Sequence, residues 1–250
     1  MMLLVDAGNT RVKWALADAG CAPGAWRAHG AAPHAQLDAA AAEWAGAGVR
    51  RALVSNVAGA ALADRIAALL PQGIEVEWFA SSAKRAGLRN GYRDPARLGC
   101  DRFAAAIGAR VLAPGRDLIV ATCGTATTVD AVSADGRFIG GMILPGLALM
   151  ASSLATNAAQ LPQLPQMAPC AVPALFGDNT HDAILSGVLA AQAGAIERAV
   201  AGHGAQACIV SGGAAPYIAP ALKVAHRVVD NIVLVGLHAA AAWTQGEARC

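Results

Sequence analysis

Neither of the common glycine-rich nucleotide loops is present: the 250-residue sequence contains no GxGxxG and no GxxxxGKS/T, so any nucleotide must be held by other means and a doubly wound dehydrogenase is disfavoured. Aromatic residues are scarce at 4%, and 19 basic against 17 acidic side chains leave a net charge of only +2. With few stacking platforms and no basic stripe, nucleic acid is excluded as a natural partner, and a small ligand is favoured. Paired cysteines are also missing. Cys21, Cys100, Cys123, Cys170, Cys208 and Cys250 are scattered without a CxxC and without a His at metal-ligand spacing, which points to free thiols in a reducing cytoplasm. No export signal is expected, because MMLL runs directly into Asp6, too early for the apolar core of a signal peptide.

Charge is absent altogether from Phe138 to Gly177. A membrane span is excluded there by Pro145, Pro162, Pro165, Pro169 and Pro173, which interrupt any apolar helix of roughly 20 residues. The segment is expected to be buried or to face a second subunit. What the sequence does have is apolar bulk, 56% against 14% charged, enough for one large domain or two half-sized ones.

The N-terminal stretch VDAGNTRVKWAL sets the functional question. Leu3-Leu4-Val5 reads as a buried strand, and Val12, Trp14 and Leu16 alternate with polar or small residues as a second strand should. The turn between them carries Asp6, which can hold a hydrated cation, small residues whose amides can face an anion, and Lys13 just beyond. The same residues also suit an ordinary edge hairpin whose Asp6 and Asn9 merely satisfy the turn. Downstream, the patterns predict a third strand over 25–29, helices over 36–47 and 58–70, strands over 51–56 and 74–79, a loop over 87–98 and a helix over 100–112. The order then restarts with strands over 117–122, 127–132 and 137–143, helices over 146–159 and 179–202, a strand over 207–211, a helix over 215–223, a short strand over 227–229 and a helix over 233–244. LLVDAGNT aligns with IVATCGTA, placing Gly8 over Gly124 and Gly20 over Gly136. The expectation is an α/β chain of two βββαβα-type halves, 1–115 and 116–250, with two phosphate-facing hairpins across a cleft.

Several motifs in this order resemble those of the type III pantothenate kinases, members of the acetate kinase, sugar kinase, Hsp70 and actin superfamily. They are Asp6-Ala7-Gly8-Asn9-Thr10 with Lys13-Trp14, Leu98-Gly99-Cys100-Asp101-Arg102, Gly124-Thr125-Ala126-Thr127-Thr128-Val129-Asp130, Gly140-Gly141-Met142-Ile143-Leu144-Pro145-Gly146, Leu161-Pro162, Asn179-Thr180 and Ser211-Gly212-Gly213. The resemblance implies a duplicated ribonuclease H-like, actin-like ATPase fold and phosphorylation of pantothenate by ATP at the start of coenzyme A synthesis. It also implies a homodimer.

Under that resemblance Asp6, Ala7, Gly8, Asn9, Thr10, Arg11, Val12 and Lys13 bind ATP, with Asp6 holding Mg²⁺ directly or through water. Thr125 belongs to the opposing hairpin, and Gly212-Gly213 lets adenosine approach the backbone, although Ser211-Gly212-Gly213 equally suits a plain strand-to-helix turn. Asp101 is the candidate catalytic base for the pantothenate hydroxyl, a role compatible with its place in a helix's first turn. Arg102 offers a planar fork to the substrate, and Tyr92, Gly99 and Cys100 line the same wall. Thr180 matches a substrate contact made from the neighbouring subunit, although the residue alone reads as a helix N-cap. One departure stands out. Many family members carry an Asp two residues before the second hairpin's glycine, where it helps bind K⁺ or NH₄⁺, and here that position is Thr122, so dependence on a monovalent cation is doubtful. The alternatives are another phosphotransferase of the superfamily or a catalytically silent accessory protein with this fold; retention of Asp6, Lys13, Asp101 and Arg102 argues against the silent form.

Overall fold

The computed structural model of the chain describes residues 1–18, 20–158, 160–164 and 172–243. Pro165, Pro169, Cys170, Cys250 and the last residue of the expected closing helix, Thr244, lie outside the described residues. Two compact units are present: Met1–Pro114 with Gly136–Phe138 and Asn231–Cys250, and Gly115–Asp135 with Ile139–Asp230.

In the first unit, β1 (Met2–Ala7), β2 (Arg11–Ala17) and β3 (Ala28–Pro33) form an antiparallel meander. Next come α1 (Leu37–Ala45), β4 (Arg51–Asn56), α2 (Ala60–Leu69) and β5 (Glu75–Trp78). β4 and β5 join the other edge of β1 in parallel, giving the order β3-β2-β1-β4-β5. Alternation along β1 sends Leu3 and Val5 toward a core that includes Trp14, Trp44, Leu62 and Ile66. Leu4, Ala15 and Leu53 lie on the other face and are equally buried, so this is a sheet covered on both sides.

The expected third strand at 25–29 begins later, at Ala28, because Ala25 is bonded back to the Ala22 carbonyl in a turn. β6 (Lys84–Arg85) and β7 (Leu88–Asn90), the latter within the segment expected to be loop, make a hairpin turned by Ala86 and Gly87, both at positive φ. A two-residue turn of that hand normally carries Asn-Gly or Asp-Gly, so Ala-Gly hides it. The helix expected over 100–112 is α3 (Cys100–Leu112).

In the second unit, β8 (Leu118–Cys123), β9 (Ala126–Val132) and β10 (Arg137–Pro145) are followed by α4 (Leu147–Asn157), α5 (Thr180–His203), β11 (Ala207–Ser211), α6 (Ala215–Ile218) and β12 (Arg227–Val228). Their order, β10-β9-β8-β11-β12, repeats that of the first sheet strand for strand. Ile119, Val129, Val188, Ile196 and Val210 share its core. The opening residues of β10, Arg137 and Phe138, belong to the first unit, where they pair with Arg89 and Asn90 of β7.

The division into 1–115 and 116–250 needs one correction. Helix α7 (Ile232–Ala242) belongs to the first unit, packed along α3. The reason is a pair of glycines. A Cβ on Gly108 would lie 2.7 Å from the Ile232 carbonyl, and one on Gly236 would collide with the Ala104 carbonyl, so the two backbones approach as only glycine permits. Arg51 and Arg85, bridged by Glu77, donate to the carbonyls of Ala241 and Ala240 and close the helix's C-terminal end.

Candidate active site

The hairpin of β1 and β2 brings Asp6 directly opposite Lys13, a cross-strand pair whose Cβ atoms are about 5 Å apart by sheet geometry. Asp6 is buried, and burial pushes its carboxyl up to about 6; the Lys13 charge opposes this and the Asp101 charge adds to it. Two carboxylates far apart in the chain therefore feel one another. The turn itself exposes Asn9, Thr10 and Arg11 while Ala7 and Val12 anchor it in the core. Gly8 is not at positive φ, and a Cβ there would make only an ordinary 3.4 Å contact. The fold does not need that glycine, and its lack of a side chain leaves the turn open to approach.

Asp101 stands in the first turn of α3, after Gly99 at the N-cap. Its Oδ1 accepts from the Arg102 N–H at 2.8 Å, and a Cβ on Gly99 would sit 2.7 Å from that same oxygen, so Gly99 makes room for the carboxylate. Burial raises the Asp101 pKa, opposed by the Arg102 N–H and guanidinium. That is the direction that strengthens a base. The N-cap is Gly99, so the reading of Asp101 as a helix cap is corrected: its carboxylate sits in the first turn and takes one amide there through Oδ1.

Arg102 is 7% exposed. Its Nη1 donates to the Tyr92 hydroxyl at 2.8 Å, and its guanidinium lies 5.6 Å from the Tyr92 ring and 5.8 Å from the Phe138 ring, cation–π distances. Tyr92 and Phe138 meet edge to face at 5.7 Å. Phe138 was not expected here; it is fully buried at the start of β10, and no local pattern links it to the 90–98 loop. Asn90 shapes that loop, accepting from the Tyr92 N–H and donating to the Pro95 carbonyl. The Cys100 thiol lies 3.3 Å from Ser55 Oγ and donates to the Asn56 carbonyl, and burial raises its pKa, so it is an inert wall residue.

Another unforeseen contact reaches the hairpin: His34 Nε2 lies 2.9 Å from the Gly8 carbonyl.

In the second unit, Thr125 and Gly124 are exposed at the β8–β9 turn, and Gly124, like Gly8, has no steric demand for glycine. Gly213 likewise has nothing within 4 Å of an added Cβ. Gly212 differs: at φ +96° it packs against the Cys123 carbonyl, so the strand-to-helix turn needs it. Thr180 is exposed at the first position of α5, but the N-cap is Asn179, whose side chain accepts from the Asp182 N–H at 3.0 Å. Reading Thr180 itself as the cap is therefore corrected, and its hydroxyl is left to other work. Thr180 also lines an apolar hollow of about 1090 Å³ with Leu149, Met150, Leu154, Ile184 and Val188.

Among the described residues no three His, Cys, Asp or Glu side chains converge as a metal-binding group. Mg²⁺ suits the first hairpin nonetheless, since that ion keeps waters and substrate phosphates and asks for one or two carboxylates. Asp6, a buried carboxylate whose charge burial disfavours, is the group a cation would relieve. The corresponding place on β8 carries Thr122 in place of a carboxylate. Thr122 and its cross-strand partner Thr128 offer two buried hydroxyls without hydrogen-bond partners and no negative charge of their own.

A sequence model of the type III pantothenate kinase family matches residues 2–202. A type III pantothenate kinase of Herminiimonas arsenicoxydans is 56% identical over 256 residues, covering 98% of each chain. Among solved structures, a Campylobacter jejuni protein provisionally described as a Baf family transcriptional activator superposes with a TM-score of 0.62 at 20% identity, covering 94% of each chain. Component A of the Acidaminococcus fermentans (R)-2-hydroxyglutaryl-CoA dehydratase does so at 0.57 and 14%, covering 96% of each.

Proposed function

This chain belongs to the type III pantothenate kinase family and has the fold of the acetate kinase, sugar kinase, Hsp70 and actin superfamily, and from that premise we propose how its residues divide the work. The chain is a phosphotransferase that uses ATP to convert pantothenate to 4'-phosphopantothenate, the first step of coenzyme A synthesis. Each unit is one copy of a duplicated ribonuclease H-like fold, a reading supported by the matching strand orders.

The observation that carries the assignment is the family match over residues 2–202, which takes in Asp6 facing Lys13 across the first hairpin and Asp101 in the first turn of α3. Asp6 belongs to the phosphate end, where the turn amides and Lys13 meet the β- and γ-phosphates. Asp101 belongs to the acceptor end, where its free oxygen takes the proton of the pantothenate primary hydroxyl as that oxygen attacks phosphorus. Phosphoryl transfer asks for positioning and charge neutralisation more than covalent help, and Mg²⁺, when bound with ATP, supplies part of that neutralisation through Asp6. Arg102 and Tyr92, braced by Phe138, form the pantothenate wall with Gly99 and Cys100. Thr125 and Gly212-Gly213 are assigned to ATP. The test is phosphorylation of pantothenate by the pure protein with ATP and Mg²⁺, run beside acetate and hexoses. Turnover of one of those in place of pantothenate would reject the assignment.

Two further expectations belong to this reading. The chain works as a homodimer through the apolar part of 138–200, because Ile143, Leu175 and Phe176 are 64%, 67% and 86% exposed and α5 is long and apolar with one face uncovered. Sedimentation at micromolar concentration is expected to give a dimer, and a monomer alone would contradict it. Thr122 predicts weak or absent activation by K⁺ or NH₄⁺, since a neutral oxygen replaces a full charge. At constant ionic strength, rates in K⁺, NH₄⁺, Na⁺ and a bulky organic cation should agree within about twofold, less than the loss of one hydrogen bond to a charged group. Thr122→Asp is expected to introduce selectivity, whereas strong stimulation of the natural protein by K⁺ would refute the inference.

A further inference from the structure

The phosphate turn is braced from outside its own hairpin. β3 pairs with β2 up to Pro33, opposite Arg11, and the chain then folds into a short 3-10 turn, His34–Gln36, beside the Gly8 carbonyl. The imidazole Nε2 is 2.9 Å from that oxygen. A carbonyl can only accept, so Nε2 carries the proton, as it does both in one neutral tautomer and in the imidazolium. The His34 backbone is itself held: Arg65 Nη1 donates to the His34 carbonyl at 2.6 Å, and Arg65 is ion-paired with Asp38. Helices α1 and α2 thus both tie down the residue that reaches the turn.

We propose that His34 is a positioning residue for ATP: by holding the Gly8 carbonyl, it fixes the direction of the next amide, the Asn9 N–H, toward the phosphates. The argument is geometric. In a planar trans peptide the C=O and the following N–H point in opposite directions, so a donor that captures the Gly8 oxygen also aims the Asn9 hydrogen. The peptide after a glycine is the one most free to rotate in such a turn. A bare Gly8 gives the phosphates room, and an outside hydrogen bond restores the order that bareness removes. The inference rests on the reading that residues 6–13 bind ATP phosphates.

His34→Ala removes the donor, and His34→Gln offers an amide nitrogen at a similar reach. His34→Ala is expected to raise the KM for ATP about 5- to 10-fold, the worth of one neutral hydrogen bond, with the KM for pantothenate within about twofold of normal. His34→Gln should recover most of that loss. Melting temperatures and the affinity for a nonhydrolysable ATP analogue, measured on both variants, keep folding separate from binding. An unchanged KM for ATP in His34→Ala, an equal loss for both substrates, or a glutamine variant no better than alanine would overturn the proposal. Lys13→Met tests the underlying reading by itself. If Lys13→Met leaves ATP affinity intact, the hairpin assignment fails; if it weakens ATP while His34→Ala does not, only the role of His34 fails.

Discussion

Asp101→Asn is expected to lower kcat by at least about 10²-fold while the fold and the affinity for ATP survive, because the base is lost and the positioning stays. The substitution keeps an oxygen able to accept from the Arg102 N–H, the bond that orders the first turn of α3. The melting temperature should therefore move little, and the loss should appear in the chemical step. The pH profile gives a second reading of the same group. Burial raises the Asp101 pKa, so the acid limb of kcat should lie above the ordinary carboxylate range, with activity falling as pH drops through it. Near-normal turnover of the asparagine variant would remove Asp101 from proton transfer.

Asp6→Asn should abolish most turnover and stabilise the protein, an opposition that a purely structural aspartate would not produce. Losing the carboxylate we assign to Mg²⁺ and the phosphates is expected to cost at least about 10²-fold in kcat/KM. Stability runs the other way. The folded-state pKa of Asp6 is about 6 against an ordinary 3.8, so the fold favours the protonated form. Its contribution is fully present below about pH 4 and is lost as pH rises through about 6; above that, holding the buried charge costs on the order of 3 kcal/mol. An asparagine escapes most of this cost. At pH 7.5 the variant should melt roughly 3–8 °C above the natural protein, and the gap should close near pH 4. Scanning calorimetry of both proteins from pH 4 to 8 measures it. A variant that melts at or below the natural protein at pH 7.5 would show that Asp6 is stabilising and refute the reading.

The parts of the site that could be read from the sequence are those whose signal is local. DAGNT between two alternating runs announces a hairpin, and Phe103 and Ile107 at helical spacing announce α3, so Asp6, Lys13 and Asp101 were placed on the right elements. The duplicated strand order was legible for the same reason: LLVDAGNT and IVATCGTA each open a meander. What stayed hidden depends on pairings distant in sequence. Phe138 reaches Arg102 only because the first residues of β10 pair with β7, and β7 was itself masked by an Ala-Gly turn. His34 reaches Gly8 only through the register of β3, whose start was placed three residues early at the apolar Ala25-Trp26. The membership of α7 was invisible because its residues are apolar on every side, a pattern that marks burial without naming a partner.

That last helix has a bearing on how the enzyme is made. Residues 139–230 precede α7 in the chain, so they leave the ribosome before it does. Until then α3 emerges with its Ala104 and Gly108 side bare, and the Leu4 and Leu53 face of the first sheet lacks a helix that covers it. The first unit is thus complete only once residues 231–242 have been made, and it carries Asp101 on α3. Domains usually fold in the order of synthesis; here one helix of the first unit is made only after the whole of 139–230. A chain that stops anywhere before residue 231 holds Asp6, Lys13 and Asp101 without the helix that packs along α3.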